Sequence, residues 1–131
     1  MTLSRRHALT AALALGVALS VPAFALKMTK FTPAALAEAQ KAGKAVLVEV
    51  SAPWCPTCKA QAPILEKLLT SDKFKSFVTF DVDFDSQKPD LQALKVQMQS
   101  TLIVYKGDKE VGRSVGETKA EAIEALLAKA L

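Results

Sequence analysis

Ala45-Val46-Leu47-Val48-Glu49-Val50-Ser51-Ala52-Pro53-Trp54-Cys55-Pro56-Thr57-Cys58-Lys59 is the stretch on which the reading of this chain turns. Its first six residues are nearly all apolar and rich in β-branched side chains, as in a strand buried on both faces. That strand runs directly into a loop holding the only two cysteines of the chain. A helical pattern then carries Cys58 through Leu69, with Ile64, Leu65, Leu68 and Leu69 on its core face and Pro63 expected to kink it. On a helix, positions three apart share a face, so the two sulfurs can meet within bonding distance. The first lies at the helix N-terminus, where unpaired N–H groups and the dipole favour an anion. Cys55 is therefore expected to ionise readily: such a site lowers a thiol pKa from about 8.5 to roughly 3.5–7.5, and the thiolate is the form that attacks a disulfide.

Other uses of a cysteine pair ask for more than the sequence supplies. A zinc site needs four ligands, and with one Cys-X-X-Cys and no histidine beyond His7 it would have to be shared between two chains. Haem attachment needs His directly after the second cysteine, where this chain has Lys59. A static disulfide closing so short a loop constrains the unfolded chain little. Reversible thiol–disulfide exchange is the favoured reading, with the static disulfide and the shared metal site left open beside it.

The first 25 residues read as a cleaved signal peptide: Arg5 and Arg6 give a positive start, Ala8 to Val21 are mostly apolar, and Ala23-Phe24-Ala25 is a small-X-small cleavage site. Fourteen residues fall short of the roughly 20 that span a bilayer. The expected mature protein is an exported domain over 26–131, with a bacterial periplasm as its simplest location. Ser4-Arg5-Arg6 hints at twin-arginine export, yet Ala8 and Thr10 depart from that signal and leave the ordinary secretory route equally open. Cleavage leaves 15 basic against 13 acidic residues, scattered rather than grouped into a stripe, which gives no footprint for nucleic acid. It also removes the only histidine, so Cys/His protease chemistry is excluded. No cofactor motif is present, and the length suits a single hydrophobic core.

Around the cysteine stretch the elements alternate. Thr32-Pro33 opens a helix that Gly43 closes. Phe77 to Phe84 reads as a strand, Asp90 to Lys95 as a short helix, and Thr101–Lys106 with Glu110–Val115 as a hairpin about Gly107-Asp108. Thr118 to Glu121 has the form of a capping box before a final amphipathic helix bearing Ile123, Leu126 and Leu127. The order αβαβαββα predicts an α/β fold: a central mixed β-sheet flanked by helices on both faces, with the cysteines at a strand-to-helix turn, where such folds place their sites.

The chain resembles thioredoxin over essentially the whole of residues 26–131. Ala52-Pro53-Trp54-Cys55-Pro56-Thr57-Cys58-Lys59 is similar to the family's A-X-W-C-G-P-C-K, Ala62-Pro63-Ile64-Leu65 to the segment that follows it, and Gly116 falls where the family has a glycine after its last strand. The resemblance implies a thioredoxin fold, a redox-active Cys55–Cys58 disulfide, a partly exposed attacking Cys55 and a buried resolving Cys58. It places Trp54, Pro56, Thr57, Gln99 and Ser100 against the substrate. Glu49 stands where the family carries a buried aspartate behind the disulfide. A carboxyl in a doubly buried strand is also expected on its own account to have a raised pKa, suited to moving a proton for Cys58, unless it pairs with Lys44 or Lys59. The family's lysine near that acid is replaced by Asp81, which discourages ionisation further.

The main departure is at Gln99-Ser100-Thr101, where the family has a cis-proline at the position of Ser100. A non-proline cis bond costs roughly 2.5–4 kcal/mol, so a trans bond is expected, and the serine hydroxyl is expected to reach the Cys55 thiolate. These residues point to an exported thiol-disulfide oxidoreductase acting on disulfide-containing proteins, more as reductant than oxidant because Pro56-Thr57 offers no charge to stabilise the thiolate unusually far. A reductant outside the cell implies a membrane thiol carrier as its electron donor. A disulfide oxidase or isomerase, or a non-enzymatic metal-binding or redox-sensing dithiol, are the competing readings.

Overall fold

Residues 26–131 are the part of the chain that the computed structural model describes; the expected signal peptide over 1–25 lies outside the described residues. Along the chain run β1 (Thr29–Lys30), α1 (Pro33–Lys41), β2 (Ala45–Ser51), α2 (Pro56–Leu69), β3 (Val78–Asp83), α3 (Lys88–Ala93), β4 (Thr101–Lys106), β5 (Lys109–Val115) and α4 (Ala120–Ala128). The five strands lie in the order β1-β3-β2-β4-β5. β3 pairs parallel to β2, whereas β4 is antiparallel to β2 and β5 antiparallel to β4, so the sheet is mixed, as expected.

Because side chains alternate across a strand, β2 supplies both cores. Val46, Val48 and Val50 join Phe80, Val82, Ile103 and Tyr105 under Leu36 of α1 and Leu91 of α3. Leu47 joins Leu102 and Val104 on the opposite face, under Leu65 and Leu69 of α2 and Ile123 and Leu127 of α4. Glu49 falls in this second alternation, at the end of β2 next to α2. The near-continuous apolar run of β2 thus follows from its central position, with a sheet neighbour on each side and helices above and below.

Local signals explain most boundaries. Thr32 caps α1, its hydroxyl accepting from the Ala35 N–H at 3.1 Å, and Pro33 takes the first turn. Three expectations are corrected. β1 was not legible, since two exposed residues leave no period-two pattern; it pairs with Phe80 and Asp81. α3 begins two residues earlier than expected, because Pro89 belongs in a first helical turn, and it ends before Lys95, whose φ of +56° is left-handed. The capping box at Thr118 does not form: the N-cap of α4 is Lys119, and the Glu117 carboxylate instead accepts from the Thr118 and Lys119 N–H groups at 3.1 and 2.9 Å. Among the described residues no helix is long and apolar enough to cross a membrane.

Candidate active site

β2 ends at Ser51, and after a four-residue turn Cys55 becomes the N-cap of α2, with Pro56 in the first turn. The Cys58 N–H donates to Cys55 Sγ at 3.1 Å, the bond that a capping side chain makes to an otherwise unpaired helix donor. Cys55 and Cys58 form a disulfide with their Cα atoms 5.3 Å apart. One expectation fails here. Cys55 was expected to be partly exposed, but it is 0% exposed against 6% for Cys58. The Cys55 sulfur is turned in over the helix end and the pair packs against Ala52 and Phe84, so burial does not separate the two thiols and the helix terminus does.

Behind the disulfide the sheet presents two carboxyl groups side by side. Glu49 and Asp81 are cross-strand partners in the parallel β2–β3 ladder and point to the α2 face. Asp81 is held by the Ser51 hydroxyl, which donates to its Oδ1 at 2.6 Å. Glu49 is 9% exposed and takes part in none of the ion pairs among the described residues, so pairing with Lys44 or Lys59 does not occur. Burial, and secondarily the charge of Asp81, push its pKa from 4.5 to about 7. A cavity of about 540 Å³ brings Glu49, Ser51 and Asp81 together with Cys58, Lys59 and Ala62. The acid and the second cysteine therefore line one cavity on the inner side of the disulfide. Among the described residues no three His, Cys, Asp or Glu side chains are grouped so as to hold a metal ion.

The segment before β4 closes the site from the side. There is no cis peptide bond among the described residues, and Ser100 sits at φ +58°, a left-handed conformation uncommon for a residue with a Cβ. Its hydroxyl donates to the Gln99 carbonyl at 2.5 Å in this oxidised state, in which Cys55 is held in the disulfide and offers no thiolate to accept. The Ser100 N–H donates to the Val50 carbonyl at 2.8 Å, and Cys58 Sγ lies 3.9 Å from the same oxygen. Val50 is thus the point where β2, the second cysteine and the Ser100 segment meet. Gln61, which the sequence reading missed, is fully buried on α2 and donates from Nε2 to the Ser100 and Glu117 carbonyls at 3.2 and 2.9 Å. Its signal was available as a polar residue three positions after Cys58 and four before Leu65, on the core face of the helix.

On the outer side, Trp54 is 54% exposed, with its indole N–H donating to Asp85 Oδ2 at 2.8 Å and its ring edge-on to Phe84 at 6.3 Å. Pro56 is exposed and Thr57 half-buried beside it, and Gln99 is half-buried next to the buried Ser100. The Asp85 loop is itself pinned by Asp83, whose carboxylate accepts from the Ser86 and Asp85 N–H groups, bonds that hold its pKa below the usual range. Nothing in the sequence marks Asp85 as the partner of a tryptophan 31 positions earlier.

The capping cysteine, the buried acid behind it and the mixed sheet between helices agree with the family model described as thioredoxin, which matches residues 27–129. The chain belongs to the thioredoxin family. It is 36% identical to thioredoxin-2 of Saccharomyces cerevisiae over 83 residues, covering 63% of this chain and 78% of the yeast protein. It is 35% identical over 94 residues to an H-type thioredoxin of Brassica oleracea, covering 72% and 74% of the two chains. The crystal structure of Trxlp from Edwardsiella tarda EIB202 superposes with a TM-score of 0.74 at 42% identity, over 77% of this chain and 98% of that one. With this membership and the paired cysteines at the helix start, the protein is a thiol-disulfide oxidoreductase of thioredoxin fold, whose general kind of partner is a protein disulfide.

Proposed function

We propose that the protein works outside the cytoplasm as a reductant of protein disulfides, with Cys55 as nucleophile and Cys58 as resolving thiol. The capping bond from the Cys58 N–H to Cys55 Sγ carries the assignment of roles, because the same donor stabilises a thiolate on Cys55 and on no other sulfur. In the reduced enzyme the Cys55 thiolate attacks one sulfur of a substrate disulfide, forming a mixed disulfide and releasing the first substrate thiolate. Glu49 takes the Cys58 proton across the shared cavity, Cys58 attacks Cys55 Sγ, and the second substrate sulfur leaves as a thiolate. The substrate gains two electrons and the enzyme becomes the Cys55–Cys58 disulfide seen in the structure. An acid with a pKa of about 7 is matched to this transfer at neutral pH. Trp54, Pro56, Thr57, Gln99 and Ser100 form the surface against which the substrate disulfide lies.

The reducing direction is supported by what surrounds the sulfurs. The residues between them, Pro56 and Thr57, are uncharged, and the carboxyl pair Glu49 and Asp81 opposes additional negative charge on the inner side. Both features keep the thiolate from the exceptional stabilisation that makes a strong oxidant. Export is supported by the signal-like composition of residues 1–25, and a reductant so placed takes its electrons from a membrane thiol carrier. Equilibration of the Cys55–Cys58 couple with glutathione tests the direction. A potential nearer about −270 mV than about −120 mV supports the reductant; the reverse makes the protein a disulfide oxidase.

A further inference from the structure

We propose that Gln61 is a positioning residue that fixes the substrate-facing Gln99-Ser100 backbone by two hydrogen bonds from its side-chain amide. The inference rests on the reading that this segment docks the protein substrate. Gln61 lies three positions beyond Cys58 on α2, so its amide is anchored to the helix that carries the disulfide. Its two Nε2 hydrogens go to two different connections, the Ser100 carbonyl before β4 and the Glu117 carbonyl after β5. The Ser100 carbonyl accepts a second bond from the Gly116 N–H at 3.0 Å, and the Ser100 N–H is held by Val50. Both peptide groups of Ser100 are thereby tied to β2, α2 and the end of β5.

Such tethering is what a left-handed Ser100 requires. A residue with a Cβ reaches φ +58° only when its surroundings over-determine it. Release of the Gln61 bonds lets the Ser100 peptide relax and re-aims the Gln99 backbone that flanks the disulfide. A filling role explains the residue less well. Leu or Met would occupy the same buried space without a polar atom to satisfy, whereas Gln61 Oε1 has no protein partner among the described residues. The amide is therefore of use through its donors. Its effect falls on docking of extended substrates, not on the sulfur chemistry, because neither cysteine is hydrogen-bonded to it.

The test is the Gln61→Met variant of the full domain, which keeps side-chain length and removes both donors. With a folded protein disulfide as substrate, KM should rise about tenfold, equivalent to one hydrogen bond from substrate to the re-aimed Gln99 backbone, while kcat stays within about twofold. The rate with glutathione disulfide and the redox equilibrium with glutathione should each stay within about twofold, since a small disulfide has no backbone to dock. Equal losses on both substrates, or none on either, overturn the proposal. A second measurement needs no variant: in the wild type the Gln61 side-chain amide protons should exchange with solvent far more slowly than those of exposed Gln92. Exchange at the Gln92 rate overturns the proposal whether or not Gln61→Met folds. Turnover of protein disulfides by the wild type tests the underlying function separately, because the proposal is read from the ratio of variant to wild type.

Discussion

Glu49→Gln should make the protein more stable and a poorer catalyst at alkaline pH, and the size of the first effect follows from the position of the residue. Glu49 is 9% exposed beside Asp81 and its pKa is raised from 4.5 to about 7. For an acid this is a cost to folding. Below pH 4.5 the carboxyl is neutral in both states and costs nothing. Between pH 4.5 and 7 the unfolded chain has released the proton while the folded one still holds it, so stability falls as pH rises; above pH 7 the whole cost is present. At about 1.4 kcal/mol per pH unit the interval corresponds to about 3 kcal/mol. The amide reproduces the protonated acid in shape and never ionises, so the variant escapes the cost. Urea unfolding of the oxidised proteins, in which the cysteines do not titrate, is the assay: with a slope near 2 kcal/mol per molar, the variant's midpoint should exceed the wild type's by about 1.5 M at pH 8.5 and coincide with it at pH 4. In the reduced proteins the resolving step of the wild type should accelerate through pH 7, and that of the variant should be several-fold slower without this inflection. A stability gain of equal size at both pH values would refute the reasoning, since it would place the effect in packing and not in ionisation.

Cys55→Ser should abolish disulfide reduction, whereas Cys58→Ser should accumulate a mixed disulfide detectable by non-reducing electrophoresis; equal residual activity in the two variants would undo the assignment of roles. Ser100→Pro should destabilise the domain by at least about 2 kcal/mol, because proline holds φ near −65° where the chain has +58°, and because it removes the N–H that Val50 accepts. Thermal unfolding of the oxidised variant checks this, and an unchanged midpoint would show that the Ser100 conformation is not enforced.

What the sequence revealed and what it hid divide along the distance over which each feature is determined. β2, α1, α2 and the hairpin were legible because period, caps and turn glycines are written within a dozen residues, and Cys55 could be placed at a helix end for the same reason. Glu49 could be read as a raised acid from its neighbours alone: an ionisable group flanked by Val48 and Val50 has to face one side of a sheet covered on both. Cys55 packs not only with neighbouring Ala52 but against Phe84, which arrives from beyond β3, so the local pattern does not report that part of its burial. Ser100 illustrates the same limit more sharply. A missing proline announced that the loop had to be different, and the cost of a non-proline cis bond favoured trans, but which φ the loop takes depends on acceptors 39 and 56 positions from Gln61, which links them. The local rule that disfavours φ > 0 for serine is overruled there by bonds to β2, α2 and the turn after β5. Where a local preference yields to that many long-range contacts beside a reactive disulfide, the contacts themselves become the place to look for substrate selection.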